Sequence, residues 1–254
     1  MMNSLAKELL NSGIVLDRDG NSYELTSSID KDEGEFLQNL IRNNNLTQSL
    51  EVGCAYGISS LFICNALSDK TSAHHIIIDP YQTTQWHGIG ISNLEKAGFN
   101  FFHLIEKPSE IALPELLTKG DRFDFAFIDG WHTFDHTLLD FFYVNRLLRV
   151  GGIVAIDDAT LPGVGKALHY ILNYPNYEVI GSAGKQKERW KRKLVNVFKK
   201  GIHTVAGLIP NRLASEIFDA SIVSPEPGTV HGASMVALRK IDDDKREWNW
   251  YVPF

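Results

Sequence analysis

The chain predicts an α/β fold: a mostly parallel, seven-stranded sheet with helices on both faces. Two observations predict it. Apolar strand-like runs alternate with helical periodicities along most of the 254 residues, and such runs form parallel sheets covered on both sides. Four of these runs also end in acidic or glycine punctuation, at Glu51-Val52-Gly53, Asp79, Asp129 and Asp157-Asp158.

The elements follow in order. Leu5, Leu9 and Leu10 are spaced for a short amphipathic helix, and Asp17, Asp19, Gly20 and Asn21 mark a turn. Over residues 30–43, Asp30 is an N-cap, Glu33 stands three positions on, and Phe36, Leu37, Leu40 and Ile41 share one helical face. Ser49–Val52 is a strand, broken by Gly53 and Gly57, and Leu61, Phe62, Ile63 and Leu67 lie in the helix after it. His75–Ile78 is a strand ending at Asp79-Pro80. Residues 90–97 are helical and Phe101–Ile105 is the third strand. Glu110–Leu117 suits a helix with Pro114 near its start. Phe123–Ile128 ends at Asp129-Gly130, and the helix from Phe134 to Leu148 stops at Gly151. Ile153–Ile156 ends at Asp157-Asp158. A helix over Gly163–Asn173 and strands Tyr177–Ile180 and Met235–Arg239 complete the pattern. The predicted division is an N-terminal helical cap over 1–47, a sheet domain over 48–181 and 232–254, and a basic helical insertion over 182–231.

Composition narrows the function classes. Hydrophobic residues are 44% and charged residues 22%, ordinary for a globular chain. A net charge of -6 argues against nucleic acid as a partner, because phosphate neutralisation needs surplus Lys and Arg. Two cysteines, Cys54 and Cys64, make no disulfide framework or metal pair, so a reducing, cytoplasmic setting is expected. No signal peptide and no membrane-spanning run are expected.

In parallel sheets ligands bind at the carboxyl ends of the strands, so the four punctuated ends should share one rim. Gly53 and Gly57 let the backbone turn sharply and approach a ligand. Ser59 and the helix N–H groups suit a carboxylate, and Glu51 suits an ammonium group. Asp79 stands where a carboxylate takes ribose hydroxyls. The loop has the form E-x-G-x-x-x-G rather than G-x-G-x-x-G, and its acid would repel a pyrophosphate. A nucleoside carrying an amino acid suits it better than NAD.

The segments E-V-G-C-A-Y-G-I-S, I-I-I-D-P, E-K-P-S, F-A-F-I-D-G-W-H and G-G-I-V-A-I-D-D, in this order, resemble class I S-adenosylmethionine-dependent methyltransferases. Within them the chain is most similar to the catechol-type O-methyltransferases and methyltransferase family 24, over residues 48–180. The resemblance implies a Rossmann-like domain and S-adenosyl-L-methionine as cofactor. It places Glu51, Gly53, Cys54, Ala55, Gly57 and Ser59 around the methionine part of that cofactor. Asp79 and Pro80 fall at the ribose, Ser109 near the adenine, and Asp129 and Trp131 beside the cofactor. Ala55 departs from the glycine of many class I members. The resemblance also implies a divalent metal, Mg²⁺ in kind, held by Asp129, Asp157 and Asp158, with Asp158 standing where the catechol-type family has asparagine. Such a metal would hold the acceptor hydroxyl and lower its pKa. The plainer alternative is that Asp157 and Asp158 cap the next helix.

His132, three residues after Asp129, is the candidate general base, and Asp129 is counted with it among the catalytic residues. His132 and His136 are also spaced i, i+4, a weak zinc signal without a third ligand. Methyl transfer needs no covalent intermediate, consistent with the absence of a nucleophile motif. The acceptor is expected to be a small molecule. Tyr81–Gly90, with Gln85, Trp86 and His87, suits a cover over the site. Lys185–Lys200 has the pattern of a basic amphipathic helix: a lid or homodimer element, a peripheral membrane contact, or a docking site for an acidic partner.

Overall fold

The computed structural model describes residues 2–184 and 232–253. The predicted basic helix, and all but the first three residues of the predicted insertion, lie outside the described residues.

The N-terminal region is not wholly helical. Helix α1 (Ser4–Ser12) is capped by Asn3, whose side chain accepts from the Leu5 and Ala6 N–H groups. Strands β1 (Ile14–Leu16) and β2 (Ser22–Glu24) then pair as an antiparallel hairpin. Its turn is tied by the Asp17 carboxylate, which accepts from the backbone N–H groups of Asp19 and Asn21. Strands of three residues are too short to show a period-two pattern, so the sequence reveals only the turn. Helix α2 (Lys31–Asn43) starts with the expected capping box of Asp30 and Glu33.

Seven strands form the main sheet: β3 (Gln48–Val52), β4 (His74–Ile78), β5 (Phe102–Ile105), β6 (Phe123–Ile128), β7 (Leu148–Ile156), β8 (Tyr177–Ala183) and β9 (Met235–Lys240). Their order is β5-β4-β3-β6-β7-β9-β8. β3 to β7 run parallel, and β9 lies antiparallel to both neighbours. Helices α3 (Ile58–Leu67), α4 (Ile89–Lys96), α5 (Ser109–Lys119), α6 (Phe134–Leu147) and α7 (Pro162–Ile171) connect them.

Alternate strand residues feed two cores. Ile77, Phe125 and Phe127 pack on one face with Leu37, Ile41 and Phe62, while Ile76, Ile78, Ala126 and Ile128 pack on the other with Phe141 and Leu147. Each large apolar side chain buried there stabilises the fold by about 1.5–3 kcal/mol. Every residue of α3 but Asn65 is buried, so this helix is covered on all sides. α2 crosses it at Gly34, where a Cβ would overlap the Phe62 ring.

Two boundaries differ from the sequence expectation. α6 ends at Leu147 and β7 begins at Leu148, so Gly151 does not stop the helix. It sits at φ 88° inside β7, where pairing jumps from Phe123–Leu148 to Phe125–Ile153. The extra residues form a bulge, which needs a left-handed position. α5 starts one residue earlier, at Ser109, and Pro114 lies in its second turn.

β3 is the switch point of the sheet, since the chain steps from it to β4 on one side and later to β6 on the other. That crevice, at the carboxyl ends, is where open α/β sheets take ligands.

Candidate functional site

A cavity of about 1000 Å³ opens at this crevice, lined from the ends of β3, β4, β6 and β7 and from the start of α2. Gly53 ends β3 at φ 88°, and a Cβ there would overlap the Asp129 carbonyl. Only glycine lets the ends of β3 and β6 approach so closely.

Asp79, at the end of β4, holds the loop from β3. One carboxylate oxygen accepts from the N–H groups of Cys54 (3.1 Å) and Ala55 (2.9 Å) and from the Gln82 amide (3.0 Å). The other accepts from the Tyr81 N–H at 2.9 Å. These bonds fix Ala55 in a left-handed conformation at φ 47°, which a non-glycine residue adopts only when its surroundings enforce it. Gly53, Cys54, Ala55, Ser59, Asp79 and Pro80 all line the cavity.

Glu51 takes a different place from the one the sequence suggests. It is fully buried and does not line the cavity. Its carboxylate accepts from the Ser59 and Ser60 hydroxyls and pairs with His75 Nε2 at 3.0 Å, while His75 Nδ1 meets the Ser49 hydroxyl at 2.7 Å. Glu51 therefore braces the floor under the loop. Gly57 also lies off the cavity; it starts α3 at φ 81° and packs against the Gly90 backbone. Burial pushes the Cys54 thiol well up, which removes it as a nucleophile.

At the ends of β6 and β7 the polar groups crowd together. His132 Nε2 lies 3.2 Å from Asp129 Oδ1 and 3.3 Å from Asp158 Oδ2. The hydrogen bond that the imidazole donates to Asp129 raises its pKa, and burial raises that of Asp129. Asp157 is raised furthest, by burial first and then by the charges of Asp129 and Glu33. Its buried Oδ1 has no hydrogen-bond partner among the described residues. Asp158 sits at φ 53°, a left-handed position that Asp and Asn tolerate best.

The Asp129 and Asp158 carboxylates, with Asp157 buried beside them, offer the oxygen donors that a hard divalent cation takes. Asp129, His132 and Asp158 each present one ligand atom, all within 4.8 Å of one another. The sequence names Asp129, Asp157 and Asp158; the structure gathers the first and last with His132 and leaves Asp157 buried beside them. The zinc alternative loses its pair, since His136 turns to the Thr133 hydroxyl at 3.0 Å.

Ser109 and Trp131 line the far end of the cavity. Ser109 also hydrogen-bonds Asp140, a buried carboxylate whose pKa burial pushes up to about 6. In the predicted cover, Tyr81, Gln85 and Trp86 line the cavity, and Trp86 meets Tyr56 edge-on at 5.0 Å. His87 does not; it stacks on Tyr23 of the hairpin at 4.5 Å. Asp30, Glu33 and Ser234, to which sequence reasoning assigned no site role, also line the cavity. The capping box accounts fully for the first two, and Ser234 is distant in sequence, so only the fold brings them here.

Residues 50–159 match a family model described as a methyltransferase domain. That segment of the chain is similar to methyltransferase domains. A caffeoyl-CoA O-methyltransferase of Populus kitakamiensis is 31% identical over 144 residues, covering 54% of this chain and 57% of that protein. Tapetum-specific methyltransferase 1 of Arabidopsis thaliana is 29% identical over 158 residues, covering 61% of this chain and 63% of that protein. The match thus spans about six tenths of the length of these relatives. An O-methyltransferase from Bacillus cereus, solved in complex with SAH, shares the fold. Its TM-score is 0.58 at 19% identity, over 71% of this chain and 84% of that one. The matched segment runs from within β3 to just past β7 and holds every rim carboxylate named above except Asp30 and Glu33. No helix of the described residues is long and apolar enough to cross a membrane.

Proposed function

We propose that this protein is an S-adenosylmethionine-dependent O-methyltransferase that acts on a hydroxyl of a small molecule. The observation that carries the reading is the convergence of His132, Asp129 and Asp158 on the cavity into which the Gly53–Ala55 loop and Asp79 also open.

The cofactor supplies an electrophilic methyl group on a sulfonium. The chain then has to align the acceptor oxygen with that methyl and take one proton. The loop held by Asp79 offers its backbone to the methionine part, Asp79 and Pro80 offer the ribose subsite, and Ser109 and Trp131 flank the base. The carboxylates of Asp129 and Asp158 would hold the divalent metal, with Asp157 behind them, and the metal would acidify the acceptor hydroxyl and orient it. His132 Nε2 is the nearest proton acceptor. Neutralising the two acids beside it brings the imidazole back toward its ordinary range, where it accepts a proton near pH 7.

The test is methyl transfer from labelled cofactor to a panel of phenols and sugar hydroxyls, with Mg²⁺ and with EDTA. Activity that EDTA abolishes and Mg²⁺ restores is expected. Full activity in EDTA would remove the metal and leave His132 as a metal-independent base, a reading its direct contact with Asp129 favours. Cofactor binding with no transfer to any acceptor would leave a non-catalytic nucleoside-binding protein. Two buried free thiols suit a reducing, cytoplasmic compartment. The homodimer remains a proposal, to be checked by light scattering.

A further inference from the structure

The acceptor side of the cavity carries more negative charge than cofactor and metal would use. Beyond the loop at Gly53, its wall is built by the start of α2 and the start of β9, where Ser28, Asp30, Glu33 and Ser234 face the same space as Asp157 and Thr160. Glu33 is buried, and its carboxylate is fixed from both sides: it accepts from the Asp30 N–H at 2.8 Å and from the Ser234 hydroxyl. Asp157, also buried, adds a carboxylate oxygen without a partner. Seven carboxylates line the cavity against two imidazoles, and among the described residues no Lys or Arg lines it.

A divalent ion brings two positive charges and the cofactor a net one, so acidic groups remain uncompensated after both are bound. Room remains too. At about 1000 Å³ the cavity stands at the top of the roughly 300–1,000 Å³ that one small ligand occupies.

We propose that this wall selects a neutral or cationic acceptor, a hydroxyl compound carrying an amine or further hydroxyls, and rejects anionic ones. The proposal rests on the methyltransferase reading of the site. An ammonium group beside Glu33 gains a charge-assisted hydrogen bond. Hydroxyls find Ser28, Thr160 and Ser234. A carboxylate or phosphate in the same place meets like charge in a cavity that shields it poorly. Discrimination of this kind comes from repulsion of the wrong ligand as much as from attraction of the right one.

Two catechols that differ in the charge of their side chain test it: 3,4-dihydroxyphenethylamine and 3,4-dihydroxyphenylacetate. Each is titrated calorimetrically into the full chain holding S-adenosylhomocysteine and Mg²⁺. The amine is expected to bind at least tenfold more tightly. Glu33→Gln should narrow that ratio at least threefold, and glutamine still serves the capping box. Asp30→Asn keeps the N-cap and should narrow it less, since Asp30 is exposed. Equal affinities, tighter binding of the carboxylate, or binding of neither probe by protein that holds S-adenosylhomocysteine would overturn the proposal. A tenfold preference unchanged in Glu33→Gln would overturn the assignment to this wall. Failure of the wild-type chain to bind S-adenosylhomocysteine would instead overturn the cofactor reading, and this proposal with it.

Discussion

The two halves of the rim are built on opposite principles. Around β3 and β4 both carboxylates are satisfied: Glu51 is held by two serines and His75, and Asp79 by three N–H groups and an amide. Around β6 and β7 the acids crowd one another, Asp157 Oδ1 has no partner, and burial pushes Asp157 and Asp129 upward. The first half is finished without a ligand and holds a shape. The second is electrostatically unfinished, and a cation or a proton completes it. Such crowded, shifted acids in a cavity mark function more often than support.

The largest effect is expected from breaking the finished half. Glu51→Ala leaves His75 and two serine hydroxyls buried without their acceptor, and should cost about 3–5 kcal/mol, read by denaturant unfolding. Gly53→Ala combines a left-handed backbone with overlap on the Asp129 carbonyl. It should cost about 1–3 kcal/mol and weaken cofactor binding more than tenfold.

Asp140 sharpens the contrast through pH. Its folded pKa, about 6, lies above its ordinary value of 3.8. The folded chain therefore binds more protons than the unfolded chain between these values, and this group's contribution to stability falls as pH rises through that window. Asp140→Asn removes the loss and should raise stability at pH 7.5 by about 1–3 kcal/mol relative to pH 4. A variant whose gain does not grow with pH would contradict the burial of that carboxylate.

Asp158→Asn should change least. Asparagine tolerates the left-handed backbone as aspartate does, so the shift should stay within about 0.5 kcal/mol. Metal-stimulated activity should survive, since the amide oxygen still ligates.

What the sequence showed, and what it hid, follows from the same contrast. The strand ends and their acids were legible because parallel strands buried on both faces leave long apolar runs, and polar punctuation stands out against them. Asp79, Asp129 and Asp157-Asp158 were found in this way. The direction in which Glu51 points was not legible, because a buried Glu–His pair depends on His75, a strand away. Glu33 was hidden by doing two tasks at once: the capping box explains it locally, and only the placement of α2 over the carboxyl ends brings it to the cavity. The β1–β2 hairpin was missed because three-residue strands carry no periodicity.

The most direct test of the account is calorimetric titration of S-adenosylhomocysteine into the wild-type chain and into Asp79→Ala, with NAD as the competing nucleotide. Saturable binding of S-adenosylhomocysteine, lost or weakened at least tenfold in the variant and absent for NAD, is the predicted result. Tighter binding of NAD, or no binding of either nucleotide by the folded wild-type chain, would contradict it.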